Sequence, residues 1–234
     1  MKLPKSFRPV KDLEENIECL LKEPDYNPKI VSYLWDSCED FLENTTDLGF
    51  LKDRYYCYYY GEKLAQKIDY NKTELEILSQ KITITKENDK WLGIYLSALV
   101  NKIINEDDEI TLTPKYPLNG IGECHKKGRL IVQGNASDYT GFYMKGGRLV
   151  VEGNANDNTG YGMVGGELVV EGNANGFTGC CMSGGRLVVE GNANDDTGFG
   201  MVGGGLVVGG KINSISNDFR KGVIIEGGKV RRDC

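Results

Sequence analysis

Two hydrophobic periods divide this chain. Over residues 1–108 apolar side chains recur three and four apart, the spacing of amphipathic helices. Val10, Leu13, Ile17, Leu20 and Leu21 form one such stripe. Asn27-Pro28 supplies an N-cap with proline at the first helical position. It opens a helix that turns Ile30, Val31, Leu34, Trp35, Cys38, Phe41 and Leu42 inward. The next helix is predicted from about Leu48 to Ile68 on Leu51, Tyr55, Tyr58, Tyr59 and Leu64. Thr73 with Glu76 reads as the capping box of a short helix. Trp91, Ile94, Tyr95, Ala98, Leu99 and Ile103 mark the last one. The segment Lys81–Lys86 alternates and reads as a short strand or as a frayed helix end.

From Glu109 the period changes. A nineteen-residue unit runs over 128–146, 147–165, 166–184 and 185–203 without insertion or deletion. In each unit R-L-V-V-E alternates as a strand, G-N-A-N-D makes a turn, and T-G-x-x-M-x-G-G gives a second extended piece and a tight corner. Such a unit cannot bury its apolar side alone, but stacked copies can. Successive coils about 4.8 Å apart, each strand bonded to its equivalents, make a parallel β-helix. The flanks extend the stack. Residues 109–127 read as a first coil, with Ile110–Thr113 on the strand column and Gly122 on the Thr-Gly column. After a shortened stretch, Lys221–Gly227 restores a last strand, for about six or seven coils.

Stacking turns positions into columns. Leu130, Leu149, Leu168, Leu187 and Leu206 face inward, with Val132, Val151, Val170, Val189 and Val208 two residues on. Met144, Met163, Met182 and Met201 fill the core. Ala136, Ala155, Ala174 and Ala193 suit a tight corner. Asn135, Asn154, Asn173 and Asn192 are expected as an inward amide ladder. Between the Leu and Val columns lie Ile131, Val150, Val169, Val188 and Val207, which point outward among charged columns. This apolar ridge is the candidate interface, to be covered by the helical part, a second copy or another protein.

The columns G-x-x-M-x-G-G-x-L-x-V-x-G-N-A, as in 141–155 and 160–174, resemble GXGXG-type β-helix repeats. Such repeats occur in the C-type subunit of formylmethanofuran dehydrogenase and in the C-terminal domain of the glutamate synthase large subunit. The resemblance covers about residues 109–230. It implies a right-handed β-helix that serves structure and assembly, with cofactor chemistry in other subunits or domains and no catalytic residue in the motif. The helical N-terminal part belongs to neither relative's pattern.

Charge and composition narrow the function. Residues 1–108 hold 15 Lys/Arg against 21 Asp/Glu, while the repeat half is neutral. That balance disfavours nucleic acid, whose phosphates select basic stripes. Met1–Pro9 is charged and proline-broken, unlike a signal peptide, and no apolar run approaches a membrane span. Seven cysteines without metal spacing suggest reduced thiols and a cytoplasmic location.

Gly160-x-Gly162-x-x-Gly165 and Gly198-x-Gly200-x-x-Gly203 match a dinucleotide pattern, but no helix pattern follows, so they read as corners. Turn chemistry explains the Asp/Asn clusters better than calcium does, since the third unit has Gly176-Phe177. Cys124 and Cys181 share a column three coils apart, about 14 Å, beyond a disulfide. His125 takes the Met column as a packed cap residue. Tyr55, Tyr56, Tyr58, Tyr59 and Tyr60 cannot all face inward on one helix, so some hydroxyls lie at a surface or at a ligand or partner site.

The sequence thus predicts an α+β chain of two domains, helical over 1–108 and a right-handed parallel β-helix over 109–234. It carries no catalytic, cofactor-binding or metal residues. The expected function is a non-catalytic assembly protein or a member of a larger complex, with a protein partner or homo-oligomer and with neither nucleic acid nor membrane. Two alternatives stand. One is a component of a multi-subunit oxidoreductase, similar to the C-type subunit of formylmethanofuran dehydrogenase. The other is a small-ligand module using the tyrosines at the domain junction.

Overall fold

The computed structural model describes residues 27–44, 50–82 and 91–233. The Val10–Leu21 stripe and residues 83–86 of the alternating segment lie outside them. Among the described residues four helices come first: α1 (Pro28–Asn44), α2 (Phe50–Ala65), α3 (Lys72–Lys81) and α4 (Leu92–Ile103). Eight strands follow: β1 (Glu109–Leu112), β2 (Arg129–Val132), β3 (Arg148–Val151), β4 (Glu167–Val170), β5 (Ser183–Val189), β6 (Val202–Val208), β7 (Lys221–Glu226) and β8 (Lys229–Asp233). β1 to β7 pair in parallel in chain order, so each strand lies on the one before it, one coil away. This is a parallel β-solenoid of about six turns with the nineteen-residue repeat.

The inward columns are as the pattern demands. The Leu, Val and Met columns are fully buried, and the Ala column nearly so. Between them Thr140, Thr159, Thr178 and Thr197 are also fully buried. Each hydroxyl donates to the carbonyl three residues back, at 2.7–2.9 Å, so the column carries no unpaired polar atom into the core. The Gly-Gly corners have a steric cause. A Cβ on Gly146 would sit 2.4 Å from the Lys126 carbonyl oxygen of the coil above, and Gly147 has φ +65°. In the G-x-G-x-x-G match at 160–165 the N–H groups that would cradle a phosphate are spent between coils: Gly160 donates to the Thr140 carbonyl and Gly162 to the Cys180 carbonyl, both at 2.8 Å. A Cβ on Gly165 would likewise meet the Lys145 carbonyl at 2.4 Å.

Four local expectations are corrected. The Asn135, Asn154, Asn173 and Asn192 ladder is exposed, not inward. Each Oδ1 accepts the backbone N–H of the residue one coil on at 2.8 Å, which ties the coils together at the surface. The first coil is one residue longer than the frame. Ile110 pairs with Leu130, twenty residues on, whereas the Gly141 N–H already bonds the Ile121 carbonyl in the nineteen-residue frame. That slip puts Ile110 and Leu112 inward and Thr111 on the ridge column, because one residue of shift exchanges the faces of a strand.

The capping box of α3 is Asn71 with Glu74, not Thr73 with Glu76. Glu74 also accepts from the Asn27 N–H at the start of α1, which joins the two helix ends. Finally, α2 buries only part of its tyrosine stripe: Arg54, Cys57 and Leu64 face in, Tyr58 packs half-buried against the core, and Tyr55 and Tyr59 are exposed. Arg54, Cys57, Gly61 and Leu64 follow a helical stripe of their own, and α2 crosses α4 so closely that a Cβ on Gly61 would lie 2.7 Å from that of Ala98.

A solenoid has two raw ends, and this chain treats them differently. At the first coil α3 and α4 supply the partners that a preceding coil would have given. The Ser97 hydroxyl accepts from Gly122 N–H at 2.8 Å, and the Ser79 hydroxyl accepts from Thr113 N–H at 3.0 Å. Asn101 Nδ2 donates to the Glu123 carbonyl at 3.0 Å. Helix α4 is consequently buried on every side from Leu92 to Asn101. The apolar core runs without a break from Val31 in α1 to Ile224 in β7. At the far end β8 folds back antiparallel on β7 through Gly227-Gly228, leaving a charged, fully exposed edge strand. Charges on an edge discourage further strand addition.

Candidate functional site

The helices and the solenoid meet at a buried ion pair. Arg54 points from α2 onto the first two coils, and its Nη2 lies 2.8 Å from Glu123 Oε2. The two side chains are 2% and 6% exposed. The guanidinium carbon also stacks 4.1 Å from the Phe142 ring centroid and 4.8 Å from that of Tyr139, so cation–π attraction adds to the charge pair. Gly120 makes room for it: at φ +70°, a Cβ there would stand 2.8 Å from Arg54 Nη2. Burial lowers the pKa of Arg54 and pushes the Glu123 carboxyl up to about 7 against the pull of the guanidinium.

Repetition continues this seat along the solenoid. Glu123, Phe142, Tyr161, Cys180 and Phe199 form one column; Gly120, Tyr139, Asn158, Phe177 and Asp196 form the neighbouring one. From Tyr139 onward the second column holds the left-handed conformation, at φ 54–59°, which aims its side chains outward. Phe142 and Tyr161 stack at 5.3 Å, and Tyr143 meets Phe142 edge-on at 4.6 Å. Phe177 and Phe199 form an edge-on pair at 5.9 Å. The strip is covered by α2 at its head and open below. Tyr143, Phe177 and Phe199 are 46%, 39% and 38% exposed, and Val164 and Val202 are exposed as well.

The tyrosines of α2 do not converge on one site. Tyr55 and Tyr59 stack on each other at the surface, 6.2 Å apart, with the Lys63 ammonium over the Tyr59 ring. Tyr58 is half-buried and its hydroxyl accepts from Asn101; burial raises its pKa. Tyr60 packs against the main core. The Tyr56 side chain lies outside the described residues. On the ridge, Ile131, Val150 and Val169 are buried and form a cluster apart from the main core, with the half-buried Val188 against them. Val207 is half-buried. Charges beside the ridge pair along the stack: Glu167 is held by Arg148 at 2.5 Å and by Arg186 at 2.6 Å.

The remaining candidates are local. His125 is fully buried in the Met column, with Nε2 3.3 Å from the Gly128 carbonyl, and burial lowers its pKa. Cys180 and Cys181 hold their sulfurs 3.6 Å apart, and burial raises the Cys180 thiol to about 12. Among the described residues, no three His, Cys, Asp or Glu gather where they could hold a metal ion. No described helix is long and apolar enough to cross a membrane. A depression of about 400 Å³ lies along Pro28, Lys29, Ser32 and Tyr33 on one flank of α1. It gathers no set of reacting groups.

Sequence reasoning missed the Arg54 seat and the aromatic strip. The signal was present at the variable positions after each Thr-Gly, where Phe142, Tyr161 and Phe199 recur at multiples of nineteen. Arg54 had no local signal, because its partners Glu123, Tyr139 and Phe142 lie far along the chain. Comparison with protein-family models, curated proteins and solved structures returns no match for this chain.

Proposed function

We propose that this chain is a non-catalytic assembly protein that presents the solenoid's aromatic strip to a protein partner. The observation that carries this reading is the set of exposed rings, Tyr143, Phe177 and Phe199, on neighbouring columns of one solenoid, with Val164 and Val202 exposed as well. A monomer gains nothing from leaving these rings in water, and exposed aromatics are enriched at contact surfaces. Already within the chain, α2 covers the head of the same strip. The likeness of the coil columns to GXGXG repeats agrees with this role, since those β-helices are understood as assembly elements. The ridge contributes less open surface, because three of its five positions are buried.

The test is gradient fractionation of native-host extract containing either the wild-type chain or the Tyr143→Ser/Phe177→Ser/Phe199→Ser variant. The assembly reading expects the wild type in a particle larger than the free chain and the variant shifted to free chain, with unchanged circular dichroism. Identical distributions would sink it.

A further inference from the structure

The strip contains a second place with the chemical parts of the Arg54 seat. The first seat uses two rings, Tyr139 and Phe142, and one carboxylate, Glu123, on two adjacent coils. Three coils on, the same two columns carry Phe177 and Phe199 with Asp196. The ring pairs are alike in shape. Tyr139 and Phe142 stand 5.6 Å apart at 79°, and Phe177 and Phe199 stand 5.9 Å apart at 78°. The arrangement is permuted, since the carboxylate moves to the other column: Asp196 follows Phe177 one coil on, and its carbonyl accepts from the Phe199 N–H at 3.1 Å. One difference decides its role. The first seat is filled by the chain's own arginine, whereas Phe177 and Phe199 are open to solvent.

Neighbouring groups leave Asp196 to serve this seat. Asp195 is engaged by Asn213 and Ser214, and Arg220 is held at two points by Asp218. The Asp196 backbone is fixed by its N–H to the Ser214 hydroxyl at 3.1 Å. An aromatic pair next to a carboxylate favours a guanidinium over an ammonium, because the flat, weakly hydrated cation stacks on rings and still presents N–H groups to the acid. We infer that Phe177, Phe199 and Asp196 form an arginine-binding seat, occupied by an arginine on the contact surface of the partner protein. The inference rests on the assembly reading above and names the chemistry of the partner side chain.

The experiment is NMR titration of the full chain with N-acetyl-arginine amide, N-acetyl-lysine amide and N-acetyl-leucine amide. Phe177, Phe199 and the Asp196 amide are followed in wild type and in Phe199→Ala and Asp196→Asn. Asparagine keeps the left-handed backbone that Asp196 holds at φ 54°. The expected result is saturable shifts at these residues with the arginine probe, weaker by about threefold to fivefold in either variant and with the lysine probe. Shifts from the leucine probe without an arginine preference overturn the seat while leaving the strip a contact surface. No shift with any probe overturns the seat and removes support from the assembly reading as well.

Discussion

Removing one partner of the Arg54–Glu123 pair should damage the chain more than removing both. In Glu123→Ala the guanidinium stays 2% exposed with its carboxylate gone. Breaking a buried pair in this way costs about 3–5 kcal/mol. The rings of Phe142 and Tyr139, at 4.1 and 4.8 Å, return part of that, about 0.5–2 kcal/mol. The expected loss is thus about 3 kcal/mol, or a fall in midpoint of roughly 6–12 °C for a chain of this size. Replacing both with apolar residues of similar volume, Arg54→Met with Glu123→Leu, removes two desolvation penalties together. It should bring stability back to within about 1 kcal/mol of wild type.

The assay is urea unfolding at about pH 8, where Glu123 is ionised. Both tryptophans, Trp35 and Trp91, lie in the helical part, so fluorescence reports the cap while far-ultraviolet circular dichroism includes the solenoid. Two outcomes would refute the reasoning: a single substitution costing less than about 1 kcal/mol, or a double variant as unstable as the single.

Further outcomes follow from the same structure. Burial raises Glu123 from 4.5 to about 7, so the folded chain holds this proton more tightly than the unfolded one. The stability this gives is whole below pH 4.5 and is lost as pH rises through about 7; Glu123→Gln should flatten that part of a urea-midpoint profile. Leu168→Ala, at a fully buried column position, should cost about 2–5 kcal/mol by denaturant titration. Glu74→Ala removes the acceptor for both Asn71 and Asn27 N–H groups and should cost about 1–3 kcal/mol, read from the tryptophan signal. With its thiol raised to about 12, Cys180 should hold roughly a thousandfold less thiolate than a free cysteine at about pH 8. Peptide mapping after brief iodoacetamide treatment should find it unmodified, and rapid alkylation there would contradict the burial.

Sequence alone determined the solenoid. A nineteen-residue period with Leu, Val and Met at fixed offsets has few ways to bury them, and stacking strand on strand is the simplest. The same logic fixed the glycine corners, since only glycine lets coil backbones approach so closely. Columns told less about direction. Asparagine satisfies coil-to-coil backbone donors from outside as well as it would from within, so its exposed ladder was not legible from spacing. The α2 face was misread for a related reason: tyrosine counts as apolar in a periodic pattern, while its hydroxyl tolerates water. Arg54 carried no signal in the local pattern, because the carboxylate and two rings that close around it come from distant coils.

Only the tertiary structure decided how the ends of the stack are finished. Ser79, Ser97 and Asn101 became the missing coil because α3 and α4 dock where unpaired backbone donors and acceptors need partners. No local rule encodes that pairing. The repeat specifies how coils bind one another, and the non-repeating helices specify where the stacking stops.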